Sequence, residues 1–274
     1  MLRYWTAGES HGKTMIAMID GFPAGLQLET DSIDHELRRR QGGYGRGGRQ
    51  RIETDTVEVL TGVWQQTTLG SPIALQVVNQ DYKLEKLEDL QRPRPGHGDL
   101  TGAVKYLGSI RGVLERASAR ETCVRVAAGA LAKQLLREFG IEVIGYVVEL
   151  GGTVIEPRAG SIEQQREWRD ASELYSLDPS KDEGIKQRID EVGKSGDTLG
   201  GVVETRVEGL PFGLGTHAQW DLKLDGRIAQ AVMAVQAVKG VEIGLGFESA
   251  RRLGSEVHDP ISFDEAKRDT PTLG

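Results

Sequence analysis

The Ala-rich stretch from Ala117 to Phe139 constrains the fold of this chain more than any other segment. It carries apolar residues at helical spacing, among them Val124, Leu131 and Leu135, and it stops at Gly140. So many small residues in one helix imply close packing on more than one side. The sequence therefore predicts a helix over 117–139 that lies between other layers of the fold.

Predicted strands come in runs and do not alternate strictly with helices. Strands are predicted three times within residues 2–28 and at Ile52–Leu60, Ile73–Val78, Ile141–Leu150, Val202–Glu208 and Val241–Phe247. Further helices are predicted at Thr30–Arg40, twice within 156–200, and at Leu224–Val238. Runs of strands favour antiparallel sheets, so the predicted fold class is α+β. No linker divides the chain cleanly, which favours a single domain over residues 1–274.

Composition excludes several classes of protein. The chain has 274 residues, with 34 Lys and Arg against 41 Asp and Glu, and its net charge of −7 argues against nucleic acid as the main partner. The most apolar stretch falls short of the roughly 20 residues that a membrane span needs. Arg3, Glu9 and His11 interrupt the first dozen residues, so no secretory signal is predicted. The single cysteine, Cys123, cannot form an internal disulfide and fits a reducing cytoplasm.

The segment Arg38–Arg51 is the strongest chemical anomaly. It holds six arginines, five glycines and no acidic residue, in a protein that is negative overall. Guanidinium groups match phosphate and carboxylate oxygens, and glycines let backbone N–H groups approach the same oxygens. The segment therefore predicts a site for an anionic small molecule. A solvated charged loop and an RNA-binding module are the alternatives.

Two histidines lie between glycines on short loops. His11 stands in Gly8-Glu9-Ser10-His11-Gly12, and His97 follows Arg94-Pro95-Gly96. An accessible imidazole that titrates near neutral pH suits proton transfer, although a surface histidine is the plainer alternative for His11. His97 and Asp99 are also possible metal ligands, but no further ligand has recognisable spacing, so no metal site is predicted.

The segment Glu115–Thr122 opens the predicted long helix. Its arginines, its serine and the N–H groups of a helix N-terminus together form a common anion site. A charged capping segment explains the same residues without a ligand. Cys123, just inside the helix, is expected to be buried and inert.

Six blocks of sequence, in the same order and over nearly the whole chain, resemble the chorismate synthase family. They are GESHG at 8–12, RRQGGYGRGGR at 39–49, RPGH at 94–97, ERASARET at 115–122, RVAAGA at 125–130 and AVKGVEIGLGF at 237–247. One such block is a weak signal, but the ordered set is specific.

The resemblance implies an activity and its cofactor. The family converts 5-enolpyruvylshikimate 3-phosphate to chorismate by anti 1,4-elimination of phosphate and a ring proton, and it needs reduced FMN although no net redox change occurs. Some members reduce the flavin with NADPH. The resemblance also implies a β-α-β sandwich, with Ala-rich helices between two antiparallel sheets, assembled as a homotetramer.

The resemblance also assigns roles to individual residues of this sequence. His11 and His97 are expected to act as acids. Substrate or nucleotide phosphates are expected at Ser10, Arg40, Arg46, Arg49 and Arg120. Flavin contacts are expected at Arg116, Ala117, Ser118, Gln236 and Ala237, with Gln236 standing where some members have Asn.

The chain departs from the family pattern at its end. Family members continue beyond the position of Gly274 with segments that supply further flavin contacts and an aspartate. The sequence is therefore expected to lack the C-terminal part of the family domain. An alternative to the enzyme is a non-catalytic, anion-binding oligomeric protein of the same fold.

Overall fold

The computed structural model describes residues 2–48, 52–262 and 272–273. Contacts divide the chain into two units, Met1–Gly209 and Leu210–Gly274. The prediction of one domain over 1–274 stays a prediction.

The first unit contains ten strands and six helices in its described residues. In chain order they are β1 (Arg3–Ala7), β2 (Thr14–Asp20), β3 (Ala24–Gln27), α1 (Thr30–Gln41), β4 (Glu58–Thr61), β5 (Val63–Trp64), β6 (Thr67–Leu69), β7 (Ile73–Val78), α2 (Asp99–Tyr106), α3 (Ile110–Ala117), α4 (Thr122–Arg137), β8 (Glu142–Leu150), β9 (Thr153–Val154), α5 (Ile162–Ala171), α6 (Asp182–Lys194) and β10 (Gly201–Glu208).

The strands of this unit form three antiparallel sheets, ordered β1-β2-β7-β4, β3-β6-β5 and β10-β8-β9. In β2, alternate residues Met15, Ala17 and Ile19 are buried, while Met18 between them is exposed. This period of two places one face of the first sheet on the core.

Helix α4 lies at the centre of the unit. It contacts α1, strands β2 and β7 of the first sheet, and β8 of the β10-β8-β9 sheet. Its side chains Val124, Ala127 and Leu131 are fully buried and share the main core with Ile33 and Leu37 of α1. An Ala-rich helix packed on several sides between two antiparallel sheets confirms the predicted α+β class and sandwich arrangement.

The β10-β8-β9 sheet has its own smaller core. Ile144 and Tyr146 of β8 pack with Ile162 of α5 and with Leu177. Ser161 caps α5 with a complete capping box, in which Gln164 returns the hydrogen bond. The two helices predicted within 156–200 are therefore confirmed as α5 and α6.

Three predicted elements differ from the structure. The long helix begins at Thr122, because Ser118 is extended (φ −60°, ψ 142°) and a 3₁₀ turn, Ala119–Glu121, precedes α4. Strand β4, predicted at 52–60, is shorter and spans Glu58–Thr61. The strand predicted at Val241–Phe247 is wrong, because Gly244 and Gly246 adopt left-handed φ values of +60° and +52° that no strand allows.

The second unit contains α7 (Leu224–Met233), which confirms most of the helix predicted there, and a short antiparallel pair, β11 (Ile261–Ser262) and β12 (Thr272–Leu273). A 3₁₀ turn, Gly246–Arg251, follows the glycines that replace the predicted strand. In neither unit is any helix of the described residues long and apolar enough to cross a lipid bilayer.

Cys123 is fully buried in α4, as expected. Burial raises the pKa of its thiol to about 11, against the opposing effect of Arg120 and Arg40 nearby. A buried thiol that stays protonated at physiological pH is an inert core residue.

Glu36 joins the two central helices and gives the stability of the fold a defined pH dependence. Burial alone raises the pKa of this carboxyl, but the charges of Lys133 on α4 and Arg39 on α1 outweigh it and hold the pKa at about 2. Since this pKa lies below the ordinary value of 4.5, the interaction stabilises the fold above that pH and is lost as the pH falls towards 2.

We expect Glu36→Gln to lower the free energy of unfolding at pH 7 by about 1–3 kcal/mol. The difference from the wild type should shrink as the pH falls below 4.5. Urea unfolding of both proteins at several pH values measures it, with exposed Glu58→Gln as the control. A deficit that does not depend on pH would contradict this explanation.

Candidate active site

The loop of residues 8–12 is fixed by its own backbone and by one asparagine. Gly8 has φ +108°, and a Cβ there would lie 2.3 Å from the carbonyl oxygen of Thr14, so only glycine fits. The side-chain amide of Asn79, just after the end of β7, donates to three loop carbonyls, those of Glu9, Ser10 and Gly12. The loop therefore holds Ser10, which is 1% exposed, and His11 in defined positions.

His11 lies against a buried carboxylate that comes from α3. Its Nδ1 is 3.0 Å from both carboxylate oxygens of Glu115, and its backbone N–H donates to the same carboxylate over 2.7 Å. Glu115 is only 1% exposed. On the other side of the ring, Nε2 is 3.6 Å from Asp81. The imidazole is thus oriented by the protein, as a group that transfers protons requires.

Two arginines and two carboxylates form a buried network beside this loop. Arg120 donates to Asp55 over 2.8 Å and to the side-chain oxygen of Asn79 over 2.8 Å, and it lies 3.5 Å from Glu53. Arg40, in the last turn of α1, lies 3.3 Å from the same Asp55. The network joins the end of α1, the segment before β4, the end of β7 and the turn before α4.

The structure brings Arg40 and Arg120 together but gives each of them protein partners. Arg120 is 6% exposed, and Arg40 also donates to Thr122 and to the carbonyl oxygen of Ala119. Their predicted phosphate binding is not tested by this geometry and stays a prediction. Their observed contacts hold together the segments that surround the loop of residues 8–12.

The predicted flavin-contacting stretch lies next to the same loop. Arg116 donates to the carbonyl oxygens of Thr6 and Gly8, and Ser118 caps the 3₁₀ turn by accepting from the N–H of Arg120. Ala117 is exposed. Residues 116–120 and the loop of residues 8–12 therefore form one cluster.

Arg46 lies in a different place, in a cleft of about 590 Å³ between the end of α1 and the segment 170–175. Its Nε donates to the carbonyl oxygen of Gly42 over 2.9 Å. A Cβ on Gly42 would lie 2.3 Å from the hydroxyl of Tyr175, so the glycine lets these two segments meet. Arg49, the third predicted arginine of this loop, lies outside the described residues.

His97 is exposed, and its Nδ1 lies 3.0 Å from the carbonyl oxygen of Pro95. The loop is held by Asp99, which accepts from the backbone and the guanidinium of Arg94. These hydrogen bonds, against the effect of burial, hold the pKa of Asp99 at about 2. Asp99 is thus the ion-pair partner of Arg94. Among the residues that the structure describes, no group of three or more His, Cys, Asp or Glu side chains is placed to hold a metal.

Gln236 and Ala237 lie in the second unit, just after α7. Gln236 is half-buried, and Ala237 is exposed with φ +69°. Their flavin contacts stay predictions.

Sequence reasoning missed the residues that support the site. They are Glu53, Asp55, Asn79 and Glu115. Glu53 and Asp55 could have been found from the alternation of acidic residues in IETDT at 52–56. In an extended segment this alternation puts both carboxylates on one side.

An oriented histidine on a fixed glycine loop, beside buried arginines, is typical of an enzyme that acts on an anionic small molecule. Comparison with known proteins gives the family. The sequence profile described as "Chorismate synthase" matches residues 2–274, and the chain belongs to the chorismate synthase family.

Individual relatives agree with this assignment. The chain is 52% identical to the chorismate synthase of Geobacter sulfurreducens, over 97% of this chain and 71% of that protein. It is 50% identical to the chorismate synthase of Lactococcus lactis subsp. cremoris, over 97% of this chain and 73% of that protein. A crystal structure of a chorismate synthase superposes with a TM-score of 0.85 at 46% identity, covering 99% of this chain and 77% of that one.

Proposed function

We propose that this enzyme is a carbon–oxygen lyase that converts 5-enolpyruvylshikimate 3-phosphate to chorismate and phosphate, with reduced FMN as its cofactor. The observation that carries the proposal is the cluster formed by the loop of residues 8–12 and residues 115–120, because it unites two of the family's motif blocks around one oriented histidine. The high identity to relatives that are named for this activity supports it.

The overall reaction breaks two bonds and forms one double bond. The C–O bond to phosphate breaks with its electron pair on the phosphate oxygen. A ring C–H bond breaks, its electron pair enters the ring as the existing double bond shifts to complete the diene, and in the net reaction its proton leaves with phosphate as HPO₄²⁻. Negative charge therefore builds up on the leaving group. Arginines such as Arg46 would bind the anionic substrate, and His11 and His97 would supply protons to the anionic groups.

The residues present fit a flavin nucleotide. Arg116 and Ala117 are exposed, and Ser118 is half-buried beside them. A guanidinium, a hydroxyl and accessible backbone N–H groups can donate hydrogen bonds to a nucleotide phosphate and to the edge of a flavin ring. When bound, reduced FMN would supply the electron-rich ring on which this family's elimination depends. NADPH as the source of its electrons belongs to the same proposal.

Two further properties are part of the proposal. A homotetramer follows from the family alone. A location in the cytoplasm is supported by the single, buried cysteine.

The decisive experiment incubates the full chain with 5-enolpyruvylshikimate 3-phosphate and reduced FMN, excluding oxygen, and measures chorismate and phosphate. We expect equal amounts of both products, and none when FMN is left oxidised. A folded protein that binds no FMN and forms no chorismate would instead support the non-catalytic, anion-binding alternative. Steeply salt-dependent binding to single-stranded RNA would point to the nucleic-acid alternative.

One pair of arginine variants tests the cleft. We expect Arg46→Ala to raise the KM for the phosphorylated substrate about tenfold, which equals the loss of about 1.4 kcal/mol of binding. Arg188→Ala, on the exposed face of α6, is the matched control and should leave KM unchanged. Equal KM values for both variants would remove Arg46 from the substrate site.

A further inference from the structure

We propose that Glu115 is a positioning residue that fixes the tautomer and the orientation of His11, so that His11 gains and loses its proton at Nε2. The proposal rests on the proposed function only in so far as His11 acts there as an acid. The contact itself is a property of the folded chain, and it can be tested without substrate.

The hydrogen bonds of Glu115 determine which nitrogen of His11 carries the hydrogen. An ionised carboxylate accepts hydrogen bonds and donates none. Glu115 accepts the backbone N–H of His11 over 2.7 Å, and the Nδ1 of the same residue lies 3.0 Å from both of its oxygens. At these distances Nδ1 must carry a hydrogen. A neutral His11 is therefore the Nδ1–H tautomer, and the charged form keeps the same hydrogen bond.

The consequence is that only Nε2 changes its proton. This nitrogen lies on the opposite side of the ring and 3.6 Å from Asp81, which in turn pairs with Lys83 over 2.9 Å. Arg111, one helical turn before Glu115, lies 3.7 Å from the Glu115 carboxylate. Among the charged groups that the described residues place beside the ring, Glu115 is the one that determines which nitrogen exchanges a proton.

The position of Glu115 is fixed by the fold. Ser109 caps the helix α3 that carries it, by accepting from the N–H of Gly112 over 2.9 Å. The carbonyl oxygen of Glu115 accepts from the N–H of Ser10 over 2.8 Å, so main chain and side chain of this residue both hold the loop of residues 8–12. Because the carboxylate is 1% exposed, water does not compete for it.

The substitution Glu115→Gln makes a sharp test. The side-chain carbonyl of the introduced amide would keep the hydrogen bond from the His11 backbone, and its NH₂ group would then face Nδ1 and donate to it. A donor at that place requires Nδ1 without hydrogen, so the neutral ring should switch to the Nε2–H tautomer. An aspartate accepts only, as glutamate does, and should keep Nδ1–H. The same logic holds for carboxylates that orient histidines in other enzymes.

The first measurement is ¹⁵N NMR of the five histidines, with His11 assigned by His11→Gln, at a pH where the ring is neutral. We expect a protonated Nδ1 in the wild type and in Glu115→Asp, and a protonated Nε2 in Glu115→Gln. Glu121→Gln is the matched control, because Glu121 is also buried but accepts from Thr6 and Arg125. It should leave the His11 tautomer unchanged.

The second measurement is turnover with reduced FMN. We expect Glu115→Gln to lower kcat roughly 10²-fold with KM little changed, and Glu115→Asp to recover part of the loss.

A wild-type His11 that carries its proton on Nε2 overturns the proposal, as does a Glu115→Gln variant with unchanged tautomer and kcat. If Glu115→Gln does not fold, the wild-type and Glu115→Asp spectra decide. If the wild type makes no chorismate, the proposed function fails and the tautomer result still decides the role of Glu115.

Discussion

Replacement of His97 by alanine is expected to lower kcat about 10²–10⁴-fold, the range that one general acid contributes. The side chain is exposed, and its Nδ1 contacts the carbonyl oxygen of Pro95 two residues away. The loop is held instead by the ion pair of Arg94 with Asp99. The variant should therefore keep the wild-type circular dichroism spectrum and melting temperature.

The control for this variant is His35→Ala, which removes an exposed histidine from α1. It should turn over at the wild-type rate under the same conditions. Steady-state assays of chorismate formation compare the three proteins. Near-normal turnover by a folded His97→Ala protein would remove His97 from the mechanism and leave the glycine-flanked loop as a surface feature.

The second large effect is expected on stability. Asp55→Ala should lower the free energy of unfolding by about 3–5 kcal/mol, because it leaves the buried Arg120 without the carboxylate that it contacts over 2.8 Å. Urea unfolding monitored by tryptophan fluorescence measures the loss, and Asp20→Ala, at the exposed end of β2, is the control. A loss no larger than that of the control would contradict the structural role of the network.

A double-mutant cycle measures how much of this loss comes from the interaction between Asp55 and Arg120. If Asp55 and Arg120 act mainly on each other, Arg120→Ala in the Asp55→Ala background should cost far less than in the wild type. Additive losses would mean that the two residues contribute independently. The contribution of Arg120 to the free energy of unfolding would then come from its contacts with Asn79 and Glu53.

The elements with the plainest patterns could be predicted from the sequence. Strand β7 has the predicted bounds, Ile73–Val78, because its run of apolar residues is bounded by turn and polar positions on both sides. Helix α1 is correct to within one residue, since Ile33 and Leu37 mark its buried face. In both cases local pattern and tertiary burial agree, which is the condition under which such predictions succeed.

Elements were missed where the local signal was weak or unusual. The β5-β6 hairpin turns through Gln65 and Gln66, both at positive φ (48° and 60°), although Asn-Gly or Asp-Gly is the usual signal for such a turn. Helices α2 and α3 contain Gly102 and Gly112, which lower helix propensity. In α2, the glycine is needed because a Cβ would lie 2.4 Å from Val113 of α3.

The candidate site divides in the same way. His11 and the arginines are visible in the sequence because glycines and like charges surround them. Glu115 and Asp55 are not, because their partners lie 104 and 65 residues away along the chain and only the fold brings them together. Long-range pairing of this kind leaves no local pattern in the sequence.

The buried network of Arg120, Asp55 and Asn79 has a consequence for how the enzyme matures. Its hydrogen bonds close chain loops of 65 and 41 residues, and the contact of Glu115 with His11 closes one of 104. Contacts so distant in sequence form late and slowly, because each must overcome a large loss of chain entropy. We therefore expect the contact of Glu115 with His11 to form late in folding, so that a refolding chain regains its helices before its activity.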